Sequence, residues 1–161
     1  MQEPDLTLIR HLKNHGKFEE AREQLAQWME AEADNPYLEF EMGLILDGLE
    51  SLTDAIDFYN RAMEHDPPNA LKRRIFISLA NDLRLKGKIY DSRQWLEQAR
   101  KEFPHDMAID LFYALSLWKD DDRGSAFRLV WTMILNEPTF KDLDPYRTTL
   151  RHYSRHFNDR P

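Results

Sequence analysis

The feature that most constrains this chain is a recurrence. Residues 36–69, PYLEFEMGLILDGLESLTDAIDFYNRAMEHDPPN, hold two short segments of helical apolar period with a polar break between them, closed by Pro67. The small residue near the start of each second segment is Ala21, Ala55, Ser92 or Ala126, at steps of 34, 37 and 34 residues. Seven places beyond these anchors stand Trp28, Ala62, Ala99 and Met133; twelve beyond stand Ala33, Pro67, Pro104 and Pro138. Twelve places before them are Ile9, Gly43, Ala80 and Ala114, and a glycine precedes the second segment in units one and three, Gly16 and Gly87. Two helices in a period near 34 residues predict an all-α solenoid, whose units bury their apolar faces by stacking on one another.

Each marker has a physical task. Small residues let the two helices of a unit approach closely, while Leu25, Tyr59, Leu96 and Val130 fill the gap to the next unit. Proline after a second helix cannot continue it and fixes the turn into the following unit. On these residues the chain resembles the tetratricopeptide repeat (TPR) family. The match spans residues 2–140, with repeats at about 2–35, 36–69, 73–106 and 107–140. Repeat one lacks the small residue at Ile9 and the proline at Ala33, as an end unit with one face in water can. Repeat three carries three extra residues, Ala70 to Lys72, which with Asn69 as N-cap lengthen its first helix to roughly 70–86. That insert, with SLANDLRLKGK and AIDLFYALSLW, is similar to small stand-alone bacterial TPR proteins.

The last segment, LDPYRTTLRHYSRHFNDRP, adds a C-terminal helix over about 144–157, with Asp144 as cap and Pro145 in the first turn. Leu143, Tyr146, Leu150, Tyr153 and Phe157 recur at steps of 3, 4, 3 and 4 and form one apolar stripe. This helix is expected to cap repeat four, or to be exchanged with a second copy. The whole chain, 1–161, is read as one domain.

Composition narrows the function classes. There is no cysteine, so disulfides, thiolate metal sites and thiol catalysis are excluded. The formal net charge of −7 repels a phosphate backbone and argues against nucleic acid. No apolar run approaches the roughly 20 residues that span a bilayer. The start, MQEPDLTLIR, is acidic and broken by Pro4, unlike a signal peptide. The expectation is a cytoplasmic protein with no membrane partner and no cofactor.

In the family it resembles, first helices line a concave face. That places Arg10, Lys13, Tyr37, Phe40, Leu44 and Asp47 on a groove wall, followed by Arg74, Ile77, Asn81, Arg84, Leu111, Leu115 and Trp118. Such an apolar, aromatic and cationic wall suits an amphipathic helix or an extended peptide with an acidic group. Some of these residues could instead be packed core. The alternative partner is a second copy, a homodimer whose groove or final helix is occupied by its twin. The family's grip on chaperone C-terminal tails needs Lys, Asn and Arg at places that here hold Leu6, Arg10, Glu41, Arg74 and Ser78. Glu41 would repel a terminal carboxylate, so a chaperone tail is not expected.

Other constellations are weaker. His11 with His15, and His152 with His156, are spaced i, i+4, but two ligands leave a tetrahedral shell half empty, so no metal is expected. Arg147, Arg151 and Arg155 form a stripe that is read as a solvated or ion-paired face. Asp120, Asp121 and Asp122 lack the ligand spacing and glycine of a calcium loop and read as a polar turn. With no nucleophile beside a base and no glycine-rich phosphate loop, no catalytic residue is expected.

Overall fold

The computed structural model describes residues 3–155 and 157, and among these there are helices and turns but no strand. The helices are α1 (Thr7–Asn14), α2 (Phe18–Ala31), α3 (Pro36–Gly48), α4 (Leu52–Glu64), α5 (Asn69–Leu85), α6 (Ile89–Glu102), α7 (Met107–Lys119), α8 (Arg123–Asn136) and α9 (Arg147–Ser154). A 3₁₀ turn, Lys141–Tyr146, precedes α9. The all-α helix–turn–helix order read from the recurrence is the observed one. The chain divides into two compact units, one ending at Lys86 and the other beginning at Gly87.

Within the first unit α3 is the hub, packed on α2, α4 and α5. Its start is locally encoded: the Asn35 side chain accepts from the Tyr37 amide, and Pro36 takes the first helical turn, where its missing N–H costs nothing. The small-residue marker explains the closest contact. A Cβ on Gly43 would stand 2.4 Å from the Tyr59 ring, so only glycine lets α3 and α4 pack with that ring between them. Tyr59 also lies against Phe40, with centroids 5.7 Å apart, and is fully buried. The gap that Tyr59 fills therefore begins inside its own repeat. A second close approach sets Phe18 of α2 against Gly48, where an added Cβ would be 2.3 Å away.

Each anchored turn places one residue in the left-handed region, five residues before the anchor: Gly16 (φ 72°), Glu50 (61°), Gly87 (78°) and Asp121 (60°). In repeats one, two and four the residue after it donates back across the helix end: Lys17 to the Leu12 carbonyl, Ser51 to Leu46 and Asp122 to Leu117. That is the helix-terminating arrangement in which glycine is normally favoured. The glycines seen in two repeats and missing from two thus mark one conserved backbone geometry filled by three residue types.

In the second unit α7 packs on α6 and α8, and α9 packs on α8. Asp106 caps α7 by accepting from the amides of Ala108 and Ile109, and Asp122 caps α8 by accepting from Ser125. Three local expectations are corrected. Asn69 is the first residue of α5 rather than its cap, and Pro68 precedes it with no side-chain cap. The terminal helix begins at Arg147 rather than 144. Pro145 sits in the 3₁₀ turn, and Asp144 accepts from Arg147 Nε at 2.7 Å instead of capping a helix. Finally, the apolar stripe does not face inward as a whole: Tyr146 and Tyr153 are each 61% exposed, while Ser154 is buried.

Candidate functional site

The first unit gathers ten of the thirteen expected groove residues on α1, α3 and α5. Their organising group is one the sequence reading cast as a repellent, Glu41. Its side chain is 2% exposed and is ringed by three cations: Lys13 Nζ at 2.5 Å, Arg10 Nε at 3.7 Å and Arg74 Nη2 at 3.8 Å. Burying a lone carboxylate is costly, so these contacts are what permit it. Arg10 also reaches Glu3 at 2.6 Å, which raises its affinity for its proton still further. Arg74 lies over the Phe40 ring at 4.6 Å. Phe40 itself is buried and forms floor, whereas Tyr37, Leu44 and Ile77 are half-buried wall.

Toward the C-terminal ends of α3 and α5 the character inverts. Asp47 is half-buried and Asp82 is 1% exposed. Burial pushes both carboxyls above the ordinary range, and the neighbouring Asp47 raises Asp82 further, to about 7. Asn81 approaches Asp82 Oδ1 at 3.5 Å, and Arg84 donates to Asn81 Oδ1 at 2.8 Å rather than pairing with an acid. Sequence reasoning missed Asp82; the available signal was an acid set between Ala80 and Leu83 in an apolar helix.

The second unit holds the other three expected residues. Leu111, Leu115 and Trp118 form one side of an open trough of about 440 Å³ between α7 and α8, completed by Ala114, Ala126, Phe127 and Val130. Every lining residue is apolar. Leu111 is 44% exposed, Leu115 48%, Trp118 56% and Phe127 48%. Contiguous apolar exposure differs from the singly scattered apolar residues that are normal on protein surfaces. Phe127 was missed because it follows Ala126 on the second helix of its unit, the side assigned to the convex face. The signal was the run FRLVWTMIL, more apolar than one buried stripe requires.

The basic stripe on the last helix has a structural role. Arg147 donates to the carbonyls of Leu135, Glu137 and Phe140, and Arg151 to the Leu135 carbonyl and to Asn136 Oδ1. The Leu135 carbonyl lies in the last turn of α8 and that of Glu137 just past it, where cations are favoured, while Phe140 lies in the turn beyond. Arg155 is exposed. Phe157 stacks edge-on against Phe127 and Trp131, at 4.8 and 5.8 Å, and Trp131 Nε1 donates to the Leu150 carbonyl. The polar-turn reading of Asp120 to Asp122 agrees with the geometry: Asp120 pairs with Arg93, Asp121 with Arg123, and Asp122 caps α8.

His15 ends α1, with Nδ1 2.9 Å from the His11 carbonyl. His156, half of the other histidine pair, lies outside the described residues. Among those described, no group of three or more His, Cys, Asp or Glu is arranged to hold a metal, and no helix is long and apolar enough to cross a membrane.

A sequence model of the tetratrico peptide repeat matches residues 36–157. Among solved structures, the chain is similar to YrrB, a TPR protein described as having an unusual peptide-binding site. The likeness has a TM-score of 0.67 at 15% identity and covers 96% of this chain and 77% of that one. It shows the fold, an α-solenoid of helix–turn–helix repeats. No curated protein matches the sequence.

Proposed function

The chain belongs to the tetratricopeptide repeat family, and from that premise we propose a non-catalytic adaptor that holds an amphipathic helix or apolar peptide in the α7–α8 trough. The observation that carries this reading is the all-apolar lining of the trough, with four large side chains between 44% and 56% exposed. An all-apolar trough suits the apolar face of one helix, read through anchors at i, i+3, i+4 and i+7. The α1–α3–α5 face of the first unit is proposed as a second, more polar stretch of binding surface. A chaperone C-terminal carboxylate is not its proposed ligand, because Glu41 already takes the three cations that would grip one.

A second reading, self-association, is favoured by one observation: Phe140, Tyr146 and Tyr153 of the terminal segment are 49%, 61% and 61% exposed. One experiment separates the two. A photo-crosslinking residue at Leu115, in cells of the native host, is expected to trap a discrete adduct. The same residue at Tyr90, which is exposed but outside the trough, is expected to trap none. Trp118→Glu should remove the adduct while leaving the helical circular dichroism unchanged. An adduct of twice the chain mass identifies the twin as occupant. No adduct at Leu115, or the same adduct from Tyr90, sinks the trough as a docking site.

A further inference from the structure

The first unit leaves several polar groups over, and they meet at one place. Gly43 lets the Tyr59 ring lie across α3, and one turn further along the same face stands Asp47. Asp82 of α5 bears on the same group: burial first, then the charges of Asp82 and Asp47, hold the proton on the Tyr59 hydroxyl. Asp82 Oδ2 and the Tyr59 hydroxyl are both shut off from solvent without a hydrogen-bond partner; Ser78 flanks the hydroxyl outside bonding geometry. Asp47 has no ion pair among the described residues. Buried groups in this condition are few in folded proteins, and an apolar pair of the same shape would serve stability better. Glu41, on the same helix as Asp47 and as buried as Asp82, is by contrast given three cations.

We propose that Asp47 and Asp82, with the Tyr59 hydroxyl beside them, receive one cationic side chain, lysine or arginine, from a bound peptide. An ammonium or guanidinium reaching Asp47 from solvent supplies the charge and the N–H donors that this corner of the fold lacks. Six residues back along α3, about 9 Å at 1.5 Å per residue, lies the cationic ring around Glu41. The face is therefore polarised, and it orients a ligand with its basic group toward Asp47 and away from Arg10 and Arg74. An extended segment spans that distance in about three residues. This surface belongs wholly to the first unit, so the proposal stands or falls independently of the trough.

The test titrates the ¹⁵N-labelled full chain at pH 7.5 with acetyl-arginine amide and with its neutral isostere, acetyl-citrulline amide. Arginine is expected to produce saturable shifts in the amides of residues 44–48 and 78–84, with citrulline about tenfold weaker. Asp47→Asn and the isosteric Asp82→Asn, each with a native helical spectrum, should each weaken arginine binding about tenfold. Equal shifts from the two ligands, or undiminished arginine binding in both variants, overturns the proposal. So does a spectrum that arginine leaves unmoved, the result expected if the two carboxyls simply share a proton.

Discussion

Tyr59 in the first unit and Val130 in the second occupy the same place in their repeats, four residues after the small anchor. Tyr59 is fully enclosed, pressed on Gly43 and Phe40, while Val130 is half-buried and lines an open trough. The difference extends beyond the pair. Of twelve exposed large hydrophobics among the described residues, ten lie in the second unit, although its turns and caps are as well formed as those of the first. The same repeat grammar thus has two outcomes: in the first unit it closes a core around charged groups, and in the second it leaves apolar side chains exposed.

The sharpest way to break this comparison is to truncate both residues. Tyr59→Ala removes a fully buried ring and should cost about 3–5 kcal/mol, as large aromatic deletions from cores do. Val130→Ala, at the matching place, should cost less than about 1.5 kcal/mol, because its site already borders solvent. Urea unfolding monitored at 222 nm measures both. Similar losses at the two positions would show that the trough wall is as much a core as the Tyr59 pocket.

Much of this was legible in the chain. The recurrence of Ala21, Ala55, Ser92 and Ala126 implied the helix pairs, and the prolines implied their ends, because backbone geometry and close packing restrict those positions to few residue types. The partnering of charges was not legible. Glu41 reads as a repellent acid until Arg10, Lys13 and Arg74 arrive from two other helices, and no local pattern encodes a long-range ion pair. The terminal segment failed for a related reason. A 3-4-3-4 apolar spacing promised one inward stripe, but Arg147 bonds carbonyls at and just beyond the end of α8 and so fixes the rotation of α9. Tyr146 and Tyr153 were thereby left outside.

The next largest effect concerns the buried acid of the first unit. Asp82 holds its proton up to about pH 7 when folded, against an ordinary carboxyl value near 4 when unfolded. Between those values the folded state binds more protons, so stability falls as pH rises through that window and levels off above it. Asp82→Asn, which cannot ionise, should therefore stabilise the protein at pH 8 by something on the order of a few kcal/mol, with the gain fading toward pH 4. Thermal melts at pH 4.5, 6 and 8 read this directly. A pH-independent difference between variant and parent would mean that Asp82 is ionised throughout.

A smaller effect is expected where the second unit ends. Arg147→Ala deletes the guanidinium that serves the carbonyls of Leu135, Glu137 and Phe140, and should cost about 1.5–3 kcal/mol of local stability. Lysine should restore little, since a point charge cannot satisfy three divergent acceptors. Hydrogen exchange should quicken in the last turn of α8 and in α9 and leave α1 to α4 unchanged. Unchanged protection at the end of α8 would remove Arg147 as the element that docks α9.

The finest comparison uses the turns, where both units face the same backbone demand with different residues. Gly16 and Gly87 meet a left-handed φ without strain, and nothing lies within 4 Å of where a Cβ would be. Alanine there should still destabilise by about 1 kcal/mol through the backbone alone. Glu50 and Asp121 carry that strain already, so Glu50→Gly and Asp121→Gly should each gain a few tenths of a kcal/mol, net of the extra chain entropy of glycine. Asp121 should gain less, because a short acidic side chain tolerates this region better than glutamate does. Its exposed ion pair with Arg123, at 3.1 Å, is worth little and does not change the order. Melting temperatures of the four variants rank these terms. A loss of stability in Glu50→Gly would mean that its side chain makes a contribution larger than the backbone strain it carries.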